Sequence, residues 1–261
     1  MQGTIGVTIL GSGSKGNAMV IQTASHTFLV DAGFSRKELE RRLHLKNIDP
    51  SSIQSIIVTH EHVDHVSGCR VFSDSHDIPT YGTFGTVKSL KDKNKVGQKS
   101  KVFSPGNSFT LGECLVSPFS VQHDAMEPVG FVVEHGDVKV GIATDLGAIN
   151  RLATQRLSDC DILILESNYD YNKQRNSSRT PKLIRRVLSA HGHLDNVDAM
   201  DALEVLLTPR TKYLFLTHLS GECNDPKLVE DLAKNRLAKM GRDDIVLGVC
   251  KQSSPMDTVW V

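Results

Sequence analysis

The sequence predicts an α/β fold, and three features carry that prediction. Apolar runs such as Ile56-Ile57-Val58, Val138 to Ala143 and Tyr213 to Thr217 have the β-branched, near-continuous character of strands buried on both faces. Each run ends abruptly in ionisable residues: Thr59-His60-Glu61-His62-Val63-Asp64-His65, Thr144-Asp145 and His218. Strands come first as hairpins and later alternate with helices, so one sheet edge should collect these side chains, as open α/β sheets do.

Taken in order, Ile5 to Leu10 reads as a strand running into Gly11-Ser12-Gly13-Ser14-Lys15-Gly16-Asn17, where glycines allow close backbone approach. That loop suits either an anion-holding nest, with Ser14 and Asn17 as substrate contacts, or a plain hairpin connection. Ala18 to Thr23 and Thr27 to Asp31 read as a hairpin through Ser25-His26. Ser35-Arg36-Lys37-Glu38 has capping-box form and starts a helix to about Leu45. The central strand Ser55 to Thr59 follows, then a helical stretch Val66 to Ser75, a short strand near Thr80-Tyr81 and a helix over Thr83 to Leu90.

Lys88, Lys91, Lys93, Lys95, Lys99 and Lys101 crowd together with Asp92 alone against them, which reads as a solvated face, with a phosphate-backbone contact as the alternative. Val102 to Glu134 has strand character broken by Pro105-Gly106 and Leu111-Gly112, and His123 lies past one of its strands. Asp161 to Leu165 repeats the pattern of a buried strand and ends in Glu166-Ser167-Asn168. From Tyr171 to His193 the chain is basic without an acidic residue, and Thr180-Pro181 opens a helix through it. Lys182, Arg185 and Arg186 then share one face and form a candidate phosphate-gripping surface. A helix near Asn196 to Leu207, a long helix from Asp225-Pro226 to about Met240 and a strand Asp244 to Cys250 complete the chain. With no repeat, low-complexity segment or linker, residues 1–261 read as one domain.

Composition excludes several classes. At 39% hydrophobic and 23% charged the chain can bury a core. No apolar run approaches the roughly 20 residues of a membrane span, and Met1-Gln2-Gly3-Thr4 lacks the basic start of a signal peptide. A cytoplasmic protein without a membrane partner is the expectation. The five cysteines are scattered and never form a C-x-x-C pair, so they read as small buried hydrophobes. A net charge of zero gives no global sign of a nucleic-acid binder, which leaves local patches to show it.

The string from His60 to His65 packs three imidazoles and two carboxylates into six residues, an arrangement costly to keep unless a cation binds there. In an extended segment His60 and His62 point the same way and can share one ion. Asp64 and His65, where the chain turns into a helix, suit a second.

The spacing H-x-H-x-D-H resembles the signature of the metallo-β-lactamase superfamily, and Asp31, His123, Asp145 and His218 follow in that superfamily's order. The resemblance implies an αββα sandwich: two mixed β-sheets packed face to face with helices outside. It implies that His60, His62 and His123 hold one divalent ion, that Asp64, His65 and His218 hold another, that Asp145 bridges both and that Asp31 supports the string. Asp145 in place of Cys points away from true β-lactamases, and His62 in place of Glu away from the di-iron flavoproteins. The 73 residues from Asp145 to His218 leave no room for the inserted domain of RNase J-type nucleases. No long Gly/Pro-rich arm like that of RNase Z is present. The motifs from Gly11 to Asn17, Val30 to Gly33, His123-Asp124-Ala125, Glu166-Ser167-Asn168, Gly192-His193-Leu194 and His218-Leu219-Ser220 look like the YycJ (WalJ) family, regarded as DNA exonucleases. Tyr169 departs from that family, which has His there.

The expected activity is therefore a phosphodiesterase, a DNA exonuclease with two ions, zinc or manganese with iron as a further option. Two ions about 3.5–4 Å apart hold a hydroxide nucleophile between them, with Asp64 among the residues needed for catalysis. His193 is the candidate to protonate the leaving alkoxide or to hold the phosphate, against a plain structural role capping the helix near Asn196. Asn168 and Ser220 are candidates to orient substrate. Two rivals stand beside this reading: hydrolysis of a small ester, lactone or cyclic phosphodiester, and a metal-free scaffold of the same fold. The basic helix argues against the first and the filled ligand positions against the second.

Overall fold

The computed structural model describes residues 4–261; the expectation for Met1 to Gly3 lies outside the described residues. Two mixed seven-stranded sheets are built in succession. In the first, β1 (Gly6–Gly11), β2 (Ala18–Gln22) and β3 (Thr27–Val30) pair antiparallel, and β4 (Ser55–Ile57), β5 (Thr80–Thr83) and β6 (Ser100–Phe103) extend it in parallel. The second begins with antiparallel β7 (Phe109–Leu111), β8 (Cys114–Ser120), β9 (Val129–His135) and β10 (Val138–Ala143). Parallel β11 (Ile162–Glu166), β12 (Tyr213–Thr217) and β13 (Val246–Val249) continue it. Finally β14 (Val259–Trp260) returns to pair with β1, where Gly6 lets the Trp260 ring lie against the strand, a Cβ there standing 2.8 Å from the ring.

The continuous apolar runs are explained by burial on both faces. Along β11, Ile162 and Ile164 enter the core between the sheets with Val7, Phe28 and Phe131, while Leu163 and Leu165 face the helices outside. Each such side chain contributes about 1.5–3 kcal/mol relative to exposure. On the first sheet's outer face, Leu29, Ile56 and Val58 pack against α1 (Arg36–Leu45), α2 (Val63–Val66), α3 (Cys69–Ser75) and α4 (Phe84–Asp92). The second sheet carries α5 (Arg151–Leu157), and further along the chain come α6 (Tyr171–Arg175), α7 (Pro181–Val187), α8 (Asn196–Leu206) and α9 (Pro226–Lys239). Of these, α5, α8 and α9 bury Leu157, Leu203 and Leu237 against Leu165 and Leu216. The result is the αββα sandwich.

Several boundaries differ from the sequence reading for identifiable reasons. Strand β4 stops at Ile57 because Thr59 turns its amide and hydroxyl to Asp31, at 2.8 Å each. The stretch read as one helix from Val66 splits into α2 and α3 around Ser67-Gly68, and Gly68 allows close approach there, since a Cβ would lie 1.9 Å from the Phe34 carbonyl. The helix opened by Thr180-Pro181 lasts seven residues. Helices α5 and α6 and strand β14 were not expected; Asn150, whose side chain accepts from the Ala153 amide, is the capping signal for α5 that was passed over.

Ser35 caps α1 as read, accepting from the Glu38 amide. The Glu38 carboxylate turns instead to Arg41 and Arg42, and buried Arg42 donates to Leu10 O and Gln252 O at 2.7 and 3.0 Å. That guanidinium ties α1 to the base of the loop after β1. All five cysteines are buried and free of disulfides, as the scattered spacing predicted. Among the described residues no helix is long and apolar enough to cross a membrane.

Candidate active site

The ends of six strands converge on one edge of the sandwich. Asp31 follows β3, His60 to His65 follow β4, His123 follows β8, Asp145 follows β10, Glu166 ends β11 and His218 follows β12. Asp31, Asp145 and His218 take positive φ of 62°, 55° and 56°. Non-glycine residues hold such conformations at a cost of about 1–3 kcal/mol each, which the packed surroundings must offset. Four other Asn and Asp residues away from this edge share that conformation, so it is the convergence of donors that marks the edge.

The donor atoms lie at the spacing of ligands around an ion. His62 Nδ1 is 3.2 Å from His123 Nε2, His65 Nε2 is 3.1 Å from Asp145 Oδ2, and His218 Nε2 is 3.3 Å from Asp64 Oδ2 and 3.4 Å from Asp145 Oδ1. Nitrogens at about 2.0–2.1 Å from one tetrahedral ion stand about 3.3 Å apart. His60, His62 and His123 form one such group, His60, His65 and Asp145 a second, and Asp64, His65 and His218 a third. Shared members make these one continuous cluster. His60 Nε2 and Asp145 Oδ2, both buried, have no hydrogen-bond partner. Two orphaned acceptors at the centre of the cluster are what an ion would satisfy.

A second layer fixes the imidazoles. His65 Nδ1 donates to Asp31 Oδ2 at 2.7 Å, His123 Nδ1 to Gly192 O at 2.9 Å and His218 Nδ1 to Glu166 Oε1 at 2.8 Å. A carboxylate or carbonyl only accepts, so each Nδ1 carries the proton and Nε2 is the atom turned to the cluster. Gly33 makes room for this layer: a Cβ there would lie 1.7 Å from the Asp64 carbonyl oxygen.

Charge balance tells the same story. Burial pushes the His218 imidazole down, but Asp145, Asp64 and Glu166 around it carry its pKa up to about 10. Burial raises the Asp145 carboxyl, and His218 and His65 override this and hold it well below the usual carboxylate range. The carboxylates thus demand positive charge at this spot. His60 is pushed well below its ordinary value by burial, with His65 adding to it, and so offers a neutral lone pair.

Beside the cluster opens a cleft of about 400 Å³ lined by Ser14, Asn168, Arg186, His193 and Ser220, and also by Asp124 and Arg179. Five residues expected to meet substrate are therefore brought together. Arg179 donates to Ser220 Oγ at 3.3 Å and pairs with Glu222 at 2.8 Å, and Arg186 pairs with Asp124. Asn17 is buried beneath, its Oδ1 accepting from Ser12 Oγ and Gly13 N, so it braces the loop and stands outside the cleft. The loop itself is the hairpin connection from β1 to β2, and Ser14 is its contribution to the cleft wall. Lys182 and Arg185 are exposed on α7 and line no part of the cleft. His193 does not cap α8: that place belongs to Asp195, whose side chain accepts from the Asp198 amide. Tyr169 is buried against Val187 and Cys223 and serves packing behind α7.

Glu166 ends a buried strand as the sequence indicates, but its role emerges only from the structure. Fully buried, it accepts from His193 Nδ1 as well as His218 Nδ1 through Oε1, each at 2.8 Å, and from the Leu146 and Leu194 amides through Oε2. Burial raises its carboxyl, yet His193 and His218 bring it below its ordinary value, so it stays an anion. Its signal was present, a carboxylate ending a buried strand as at Asp145.

Fold and cluster together define a class, the metal-dependent hydrolases of metallo-β-lactamase fold. The beta-lactamase superfamily domain matches residues 26–219. Exodeoxyribonuclease WalJ of Streptococcus pneumoniae serotype 2 is 31% identical over 93% of this chain and 90% of its own length. Exodeoxyribonuclease YycJ of Bacillus anthracis is 32% identical over 90% and 89%. Among solved structures, the metallo-β-lactamase-fold protein YhfI from Bacillus subtilis superposes with a TM-score of 0.73 at 17% identity, over 98% of this chain and 99% of that one. The chain belongs to the beta-lactamase superfamily and, within it, to the WalJ/YycJ family.

Proposed function

We propose that the protein is a DNA exonuclease, a phosphodiesterase working with two divalent ions, zinc or manganese with iron as a further option. One observation carries this reading: the donor cluster opens into a cleft walled by Ser14, Ser220 and two guanidinium groups, Arg179 and Arg186, whose pairing with Glu222 and Asp124 a phosphate at the ions would replace. Relatives named exodeoxyribonucleases at 31–32% identity support DNA as the substrate. His60, His62 and His123 would hold one ion, Asp64, His65 and His218 the other, and Asp145 would bridge. When bound, the ions supply Lewis-acid chemistry that activates water and offsets charge on the phosphate oxygens.

The chain's own groups do the rest. The guanidinium groups of Arg179 and Arg186 grip the phosphate backbone, and Ser14, Asn168 and Ser220 orient it. His193, its Nδ1 committed to Glu166, keeps Nε2 for the substrate and delivers a proton to the departing sugar oxygen. Asp64 is indispensable because it supplies the anionic donor paired with His218. On this reading residues 1–261 are one cytoplasmic domain acting on DNA.

The test is cleavage of end-labelled single- and double-stranded DNA and RNA by stripped protein with Mn²⁺ or Zn²⁺ restored. Metal-dependent release of nucleotides from DNA ends is expected. Turnover confined to small esters or lactones would overturn the reading.

A further inference from the structure

Among the described residues, the three most exposed large hydrophobic side chains are Val63 at 67%, Phe84 at 67% and Met126 at 66%. Two of them adjoin donors of the cluster along the chain, and the third is tied to the same loop as Met126. Val63 directly follows His62, and Met126 lies three residues beyond His123 on the loop that carries Asp124 into the cleft wall. The Met126 amide donates to Glu61 Oε1 at 2.9 Å, which pins it to the segment between His60 and His62. Phe84 is joined to the same loop: the Gly85 amide donates to Glu127 Oε2 at 2.8 Å and Thr83 Oγ1 to Glu127 O at 3.0 Å. A Cβ on Gly85 would stand 3.3 Å from Met126 Cβ, so the two segments touch. Apolar groups held in water by this many polar tethers are placed, because burial would otherwise recover their hydration cost.

We infer that Phe84, beside Met126, is a stacking platform for the nucleobase next to the scissile phosphate. The inference rests on the nucleic-acid reading of the site. A phosphate at the cluster brings its own nucleoside to the rim, and a base presents a flat apolar face that suits an aromatic ring and a thioether. Charge fits as well. Lys88, exposed and four residues after Phe84 on α4, shares its helix face; its ammonium pairs with Asp92 at 3.0 Å across solvent-exposed surface, a contact weak enough to be exchanged for the next phosphate. Of the carboxylates nearby, Glu61 accepts the Met126 amide through Oε1 while its Oε2 is buried without a partner, and Glu127 accepts the Gly85 amide through Oε2. Stacking of this kind accepts any base, so the platform gives affinity without sequence preference.

The experiment uses the metal-loaded full chain with Phe84→Ala and Phe84→Trp. Phe84→Ala should raise KM on single-stranded DNA about tenfold with kcat kept, and Phe84→Trp should restore it. The loss should vanish on an oligonucleotide abasic at the terminal position. A parallel measurement needs no cleavage: quenching of terminal 2-aminopurine on binding should be strong for the wild type and weak for Phe84→Ala. Quenching that depends on Phe84 in a protein that cuts no DNA would sink the nuclease reading and keep the platform. Cleavage with KM and quenching both indifferent to Phe84 would overturn the platform and leave the patch as a protein-docking surface.

Discussion

One oxygen of Glu166, Oε1, accepts hydrogen bonds of 2.8 Å from both His193 and His218. A side chain of the cleft wall and a donor of the cluster are thereby held by a single buried anion. That anion accepts Nδ1–H of each ring and so leaves Nε2 of each free to face the cleft and the cluster.

His193→Ala should lower kcat on DNA by about 10² to 10⁴ with metal content unchanged, the usual contribution of a positioned acid. A nitrophenyl phosphodiester, whose leaving group needs little protonation, should suffer far less. Equal losses on both substrates would make His193 a phosphate holder. Glu166→Gln should in addition weaken metal affinity by about 10- to 100-fold through His218.

Arg186→Ala should weaken DNA binding and reduce the salt dependence of log K by about one unit per lost phosphate contact. Arg185→Ala and Lys182→Ala should do so much less, because neither lines the cleft. Equal salt slopes for all three variants would return α7 to a solvated surface with no grip on the backbone.

Gly33→Ala should damage the site from beneath, since its Cβ would fall 1.7 Å from Asp64 O and 2.6 Å from Asn17 N. Overpacking of this kind costs about 1–3 kcal/mol, or roughly 2–4 °C of Tm per kcal/mol in a chain of this size. Metal binding should weaken with it. An unchanged Tm and metal affinity would show that the two segments part easily.

Glu38 supplies a pH test away from the cluster. The hydrogen bond from Arg41 draws its carboxyl down, burial opposes this and Arg42 adds to the fall, leaving it at about 2 against an ordinary 4.5. A folded-state value below the unfolded one stabilises the fold above pH 4.5, and that stability is lost as the pH falls toward 2. In metal-stripped protein Glu38→Gln should lower Tm at pH 7, with the gap to wild type closing between pH 4.5 and 2. A gap independent of pH would remove the charge from the explanation.

What could be read ahead of the structure follows from how each feature is encoded. The donors from His60 to His218 were legible because few residue types bind metal and each stood at the end of an apolar strand. Glu166 stood at such an end too, but its partners His193 and His218 lie 27 and 52 residues away, and no local pattern joins them. The basic helix was legible as a helix, whereas only its packing through Val187 and Tyr169 decides that Arg186 reaches the cleft and Arg185 does not. Strand β14 escaped notice because a two-residue strand has no periodicity to read.

The most direct measurement is a titration of Mn²⁺ into stripped protein that follows bound metal and nucleotide release from a DNA end together. Binding should saturate at two ions per chain, with DNA hydrolysis appearing as the pair fills and Asp64→Ala holding fewer ions and hydrolysing little. Saturation at one ion, or hydrolysis in protein holding none, would contradict the account.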